Sequence, residues 1–286
     1  MNQLWNNGSE TDRLGLSDAE KAPLAELLRA YAALEDTVAV AIGGSLASGE
    51  GTASSDMDIY VFVRKDLPAE VREKLIKPLS SKYETGGDYF GPGDEFLYDA
   101  MNRECDVMYW TASWFTDTVQ SSWTRCQPQN GYTTAFLYTL KNFVIVYDTD
   151  GWLASLRDMV QGEYPEELMR NIVSRNLMLM KDKPFSSYCE QIEKAVRKND
   201  LVSVNHRIAA FLASYFDALF AMNRIFHPGE KRQVSHALKH CSRLPADFKE
   251  CLDELLGTGT PGDRQLVLLE RMFAALKKLW QEIQEE

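Results

Sequence analysis

Two rhythms of apolar and polar residues divide this chain. Up to about residue 150, short apolar runs alternate with polar turns and amphipathic stretches; beyond it, apolar residues recur every three or four positions. Ser17-Asp18-Ala19-Glu20 has the form of a capping box ahead of Leu24, Leu27, Leu28 and Tyr31, which predicts a helix from about Asp18 to Ala33. Val38–Ile42 and Ile59–Val63 are apolar runs of strand length. Gly43-Gly44-Ser45 closes the first, and Asp56-Met57-Asp58 opens the second. From Pro68, the positions of Val71, Leu75, Ile76 and Leu79 predict an amphipathic segment. Residues 103–110 alternate, with Cys105, Val107 and Tyr109 on one face of a strand and Asp106 and Met108 on the other. Before that strand, the glycine-, acid- and aromatic-rich residues 86–96 predict a hairpin or flap, placed either over the active site or at the surface with its aromatics on the core. Trp110, Trp114 and Trp123 are expected in the core. Phe143 to Asp148 reads as a further strand, and Asp150-Gly151 as the turn that closes this region.

From Trp152 onward the period is helical. Leu168, Ile172, Leu177 and Leu179 mark one helix, and Ile192, Ala195 and Val196 another. Residues 200–224 mark the longest, and the tail from Asp263 repeats the period with Leu266, Leu269, Met272, Phe273, Leu276 and Leu279. The expected organisation is one domain over residues 1–150 and a helical domain over residues 151–286.

Composition narrows the field. The chain has 286 residues, 45% hydrophobic and 26% charged, which suits a globular protein. No apolar run is long and clean enough to span a membrane, and the first residues lack the pattern of a signal peptide. Five scattered cysteines without zinc-binding spacing point to reduced thiols and a cytoplasmic location. A net charge of −11 argues against broad nucleic-acid binding, leaves room for a cationic acceptor, and is also what solubility alone produces. A monomer or homodimer is expected.

The chemistry concentrates between Gly43 and Asp58. On a strand, Asp56 and Asp58 project to one side while Met57 and Ile59 turn to the core. Two carboxylates on one side repel, a divalent cation removes the penalty, and hard oxygen ligands suit Mg²⁺. Gly43 and Gly44 let a phosphate approach the backbone, Ser45 offers donors at a helix start, and Ser54 and Ser55 add hydroxyls across the loop. Alone, an Asp-x-Asp is often a solvated edge and a Gly-Gly-Ser only a turn. Strand, turn and strand in this order are far more specific.

In these motifs the chain resembles the DNA polymerase β-like nucleotidyltransferase superfamily. The resemblance implies an α+β fold, with a mixed nucleotidyltransferase β-sheet and flanking helices followed by a C-terminal α-helical bundle. It also implies a third carboxylate on a later strand, a place that Asp106 fits and for which Glu104 on the same face is the fallback. Asn205-His206-Arg207 and the loop His227-Pro228-Gly229-Glu230-Lys231-Arg232 resemble a DUF4037-type helical region. More distantly, the chain is similar to aminoglycoside and lincosamide nucleotidyltransferases. His227, Lys231 and Arg232 are candidates for triphosphate oxygens, although basic residues after a helix also complement its dipole. His206 is either a core histidine or a functional one.

The resulting expectation is an enzyme that moves NMP, AMP foremost, from an NTP such as ATP to a hydroxyl of a small-molecule acceptor and releases pyrophosphate. Gly43, Gly44, Ser45, Ser55, Lys231 and Arg232 would contact nucleotide. Asp56 and Asp58 would hold two Mg²⁺, and Asp106 would join them as ligand and general base. The alternatives are nucleotidylation of a protein or RNA, or a nucleotide- or partner-binding module without turnover.

Overall fold

The computed structural model describes residues 12–52, 54–88, 91–257 and 262–286. Helix α1 (Asp18–Ala32) starts at its capping box: the Glu20 carboxylate accepts hydrogen bonds from the Ser17 N–H at 3.0 Å and the Ser17 hydroxyl at 2.7 Å. Its stripe of Leu24, Leu27, Leu28 and Tyr31 is buried. Strands β1 (Thr37–Ile42) and β2 (Met57–Val63) pair antiparallel, joined through the short helix α2 (Gly44–Ser48). Helix α3 (Ala69–Ile76) leads into a hairpin of β3 (Tyr83–Gly87) and β4 (Gly93–Tyr98), which realises the predicted hairpin; Tyr89 and Phe90 lie outside the described residues. Then come β5 (Arg103–Thr111), α4 (Ala112–Trp123), α5 (Ala135–Asn142), β6 (Val144–Asp148) and α6 (Trp152–Met159). Six strands make one mixed sheet in the order β3-β4-β5-β2-β1-β6, in which β2 and β5 run parallel.

The faces of this sheet differ because the strands alternate. Met57, Ile59, Val61, Cys105, Val107 and Tyr109 turn to a core closed by the stripe of α1 and by Ile76 of α3. On the opposite face Tyr60, Phe62 and Trp110 pack with Phe115, Phe143 and Trp152, with neighbouring ring centroids about 5–6 Å apart. Trp110 and Trp123 are buried as expected; Trp114 in α4 is 44% exposed instead, with its ring tilted against Trp110.

The chain divides into two units, the residues up to Val119 with Thr139–Gly162, and Gln120–Tyr138 with Glu163–Glu286. The second is helical: α7 (Glu166–Leu177), α8 (Tyr188–Arg197), α9 (Leu201–Met222), α10 (Gln233–His240), α11 (Phe248–Gly257) and α12 (Asp263–Gln284). The long helix α9 packs on α7, α8 and α12. Asp217, buried within α9, accepts hydrogen bonds from the Thr133 N–H (2.9 Å), the Thr133 hydroxyl (2.7 Å) and the Asn176 amide (2.9 Å). None of the five cysteines is in a disulfide. Among the described residues, no helix is long and apolar enough to cross a membrane.

Candidate active site

Asp58 in β2 stands directly opposite Asp106 in β5, register partners in the parallel ladder. Directly paired residues present their side chains to the same face. The register continues outward, Asp106 opposite Glu95 in β4 and Glu95 opposite Glu84 in β3. A row of carboxylates therefore crosses the sheet, half-buried at Asp58 and Asp106 and exposed at Glu95 and Glu84. Glu104 shares the face but pairs with Leu97, one row away from Asp58 and Asp106. Met57 and Ile59 are fully buried on the other side, as alternation requires.

Two glycines shape the space beside Asp58. The Gly43 N–H donates to the Asp58 carbonyl at 2.9 Å, which holds the end of β1 against the start of β2. A Cβ on Gly43 would lie 2.5 Å from the Tyr60 ring. Gly44 is left-handed at φ +61°, and a Cβ there would lie 1.7 Å from Asp58 Oδ2. The Asp58 carboxylate thus rests over a bare α-carbon, a place open only to glycine. Ser45, half-buried, is the second residue of α2, and its carbonyl accepts from the Ser48 hydroxyl at 3.1 Å.

Asp56 is exposed, one position ahead of β2. Its loop is braced. The Ser55 hydroxyl accepts from the Thr52 N–H at 2.9 Å, and the Ser55 carbonyl accepts from the Arg103 guanidinium. Arg103 in turn donates to Glu20 Oε1 from Nη2 (2.7 Å) and Nε (3.1 Å), with both side chains largely buried. The Ser17 hydroxyl and Arg103 together hold the Glu20 carboxyl down at about 2. The Arg103–Glu20 pair is not visible in the sequence, where Glu20 shows only as the capping-box residue, because the two lie far apart along the chain. Glu95 was findable, since residues 93–98 alternate as a strand does.

Negative charge is concentrated here. Burial pushes the Tyr60 phenol upward, and Asp58 and Asp106 push it further. Burial, then Asp106, raises the Cys105 thiol to about 12. Asp56, Asp58 and Asp106 do not form a set of carboxylates mutually within 4.8 Å. Their hard carboxylate oxygens are nevertheless the ligands that Mg²⁺ requires, and a metal held there would offset their repulsion of a phosphate. A cavity of about 250 Å³ opens beside Asp106, lined among others by Lys82, Glu84, Glu95, Leu97 and Glu104.

The remaining sequence candidates lie in the second unit. His206, Lys231 and Arg232 are exposed. His227 is buried against Phe220 and Tyr132, its Nδ1 accepts from the Gly229 N–H at 3.1 Å, and burial lowers it to about 3, so it carries no positive charge for a phosphate.

Residues 24–122 match the nucleotidyltransferase domain family, and residues 131–232 match DUF4037, a domain of unknown function. No curated protein matches the chain. Among solved structures, a nucleotidyltransferase-like protein from Exiguobacterium sibiricum is similar at 10% identity and TM-score 0.46, over 92% of this chain and 75% of that one. The STING-associated CdnE c-di-GMP synthase of Capnocytophaga granulosa aligns at 11% identity and TM-score 0.31, over 96% and 83% of the two chains. Spectinomycin adenyltransferase AAD(9) from Enterococcus faecialis, solved with ATP and spectinomycin, aligns at 13% identity and TM-score 0.31, over 92% and 100%. The matched domain spans the glycine turn, Asp56, Asp58 and Asp106, so residues 24–122 form a nucleotidyltransferase domain, and a DUF4037 region follows it.

Proposed function

We propose that the chain transfers AMP from ATP to a hydroxyl of a small, cationic acceptor and releases pyrophosphate. The observation that carries this reading is the in-register pair Asp58 and Asp106, set against the bare α-carbon of Gly44. Gly43, Gly44 and Ser45 receive the β- and γ-phosphates, with Ser45 offering its hydroxyl and N–H at the start of α2. Asp56, Asp58 and Asp106 would hold two Mg²⁺. When bound, these ions neutralise charge at the reacting phosphate and lower the pKa of the acceptor hydroxyl. Asp106, on the row that leads to the cavity, takes the proton as the acceptor oxygen bonds to the α-phosphorus and the bond to the β-phosphate oxygen breaks. Glu84, Glu95 and Glu104 line that cavity and attract ammonium groups on the acceptor, which aligns its hydroxyl for in-line attack.

The test is label transfer from α-labelled ATP across a panel of hydroxylated amines and matched neutral polyols, with Mg²⁺. Amine acceptors are expected to be labelled, with a KM that rises with salt and with Glu95→Gln, and turnover is expected to vanish in EDTA and in Asp58→Asn. Wild-type pyrophosphate release by Asp58→Asn with a working acceptor would sink the proposal. Neutral polyols labelled as efficiently as amines would remove the cationic assignment.

A further inference from the structure

The second unit contains a cavity of about 580 Å³, within the range of small-molecule sites. Three arginines from three different elements line it: Arg170 in α7, Arg224 just past α9, and Arg243 after α10. Glu166 serves two of them, Arg224 at 2.8 Å and Arg170 at 3.2 Å, while Arg243 pairs with Glu286. One carboxylate shared by two guanidiniums is a weak match for planar forks that each favour a bidentate anion. In a chain of net charge −11, three converging arginines also run against the general electrostatic bias.

The arginines are held in place. Arg224 is left-handed at φ +52°, where helices usually end on glycine, so here an arginine occupies the position that turns the chain over the cavity. Its neighbour Asn223 donates from Nδ2 to the Arg243 carbonyl at 3.0 Å and accepts from the Arg243 N–H at 2.9 Å, which ties Arg243 beside Arg224. Beneath the charges, the lining includes the buried Met222 and the half-buried Trp280. Guanidiniums around an opening with an aromatic ring in its lining fit a molecule that has both an anionic end and a flat apolar end.

We propose that this cavity is a binding site for a phosphate monoester bearing an aromatic group. The phosphate takes the place of the Glu286 and Glu166 carboxylates on Arg243 and Arg224, and the aromatic group lies on Trp280. All of its lining residues belong to the second unit, and it needs no metal.

The probe is AMP, titrated by calorimetry in EDTA at low ionic strength, with inorganic phosphate as the second probe. Saturable binding of one AMP is expected, tighter than that of inorganic phosphate. It is expected to weaken at least tenfold in Arg224→Gln and in Arg243→Gln and several-fold in Trp280→Leu, with melting temperatures as controls for folding. Asp58→Asn is expected to bind AMP as the wild type does, which separates this site from the catalytic one. Absence of saturable AMP binding in EDTA overturns the proposal. Binding unchanged in both folded arginine variants, or lost in Asp58→Asn, overturns it equally. Phosphate bound as tightly as AMP overturns the aromatic part.

Discussion

At the scale of single residues, Gly44 has the narrowest tolerance. A methyl group there meets the Asp58 carboxylate at 1.7 Å and sits on a left-handed backbone. Gly44→Ala is expected to cost roughly 1–2 kcal/mol in urea denaturation, from the left-handed conformation. It is expected to lower kcat/KM by about 10²-fold, since a displacement near 1 Å at a reacting group has that effect. Unchanged kinetics would show that the Asp58 position is not critical. Arg103 makes a different prediction, because it touches no reacting atom in the proposed chemistry and braces the Ser55 carbonyl next to Asp56. Arg103→Ala is expected to lower kcat about 10-fold by loosening Asp56, with Arg103→Lys recovering part of the loss because it retains the cation but not the fork. The placing of Asp58 and Asp106 on strands, and of Gly43 and Gly44 at the turn between strands, was legible because alternation and a turn motif are local patterns. Arg103 with Glu20 was not, because an ion pair between β5 and α1 leaves no periodic trace in either segment.

At the scale of elements, the β3–β4 hairpin depends on one buried pair. Arg72 from α3 meets Asp94 at 3.1 Å, with side chains 5% and 0% exposed, and stacks over Tyr109; Asp94 also accepts from the Gly86 N–H at 2.9 Å. Arg72→Ala leaves that acid buried without its cation and is expected to cost about 3–5 kcal/mol. The double change Arg72→Met with Asp94→Leu is expected to recover most of that loss, since an apolar pair needs no solvation, and denaturant midpoints decide the matter. Asp217 fixes α9 to the Thr133 segment, and burial lifts its carboxyl from 3.8 to about 6. Between those values the native chain keeps a proton that the unfolded chain has released, so the contribution is complete below about pH 4 and declines as pH rises through about 6. The loss is roughly 3 kcal/mol at 1.36 kcal/mol per pKa unit, and Asp217→Asn is expected to flatten that limb of the stability–pH curve. The long helices α9 and α12 were legible from many apolar repeats; α5, α10 and α11, of eight to ten residues each, offer few repeats and went unread, although α3 and α8 of similar length were read from theirs.

At the scale of the whole molecule, an α+β unit with a six-stranded mixed sheet and a helical unit share one polypeptide that passes between them more than once. Periodicity registers only one change of regime, near residue 150, because the earlier excursion into the helical unit, Gln120–Tyr138, is too short to set up a period of its own. The parallel pairing of β2 with β5 bears on the order of assembly. Parallel neighbours need a long crossover, here α3 and the β3–β4 hairpin, and pairings across a long loop form slowly because closure entropy precedes any reward. The two carboxylates proposed to hold metal, Asp58 and Asp106, sit on those two strands, so a refolding chain is expected to gain helices and hairpins before it gains that proposed site. In refolding from urea, Mg²⁺-dependent activity is therefore expected to return with the slowest phase and far-UV signal to lead it, and activity returning in step with early helix formation would refute that order.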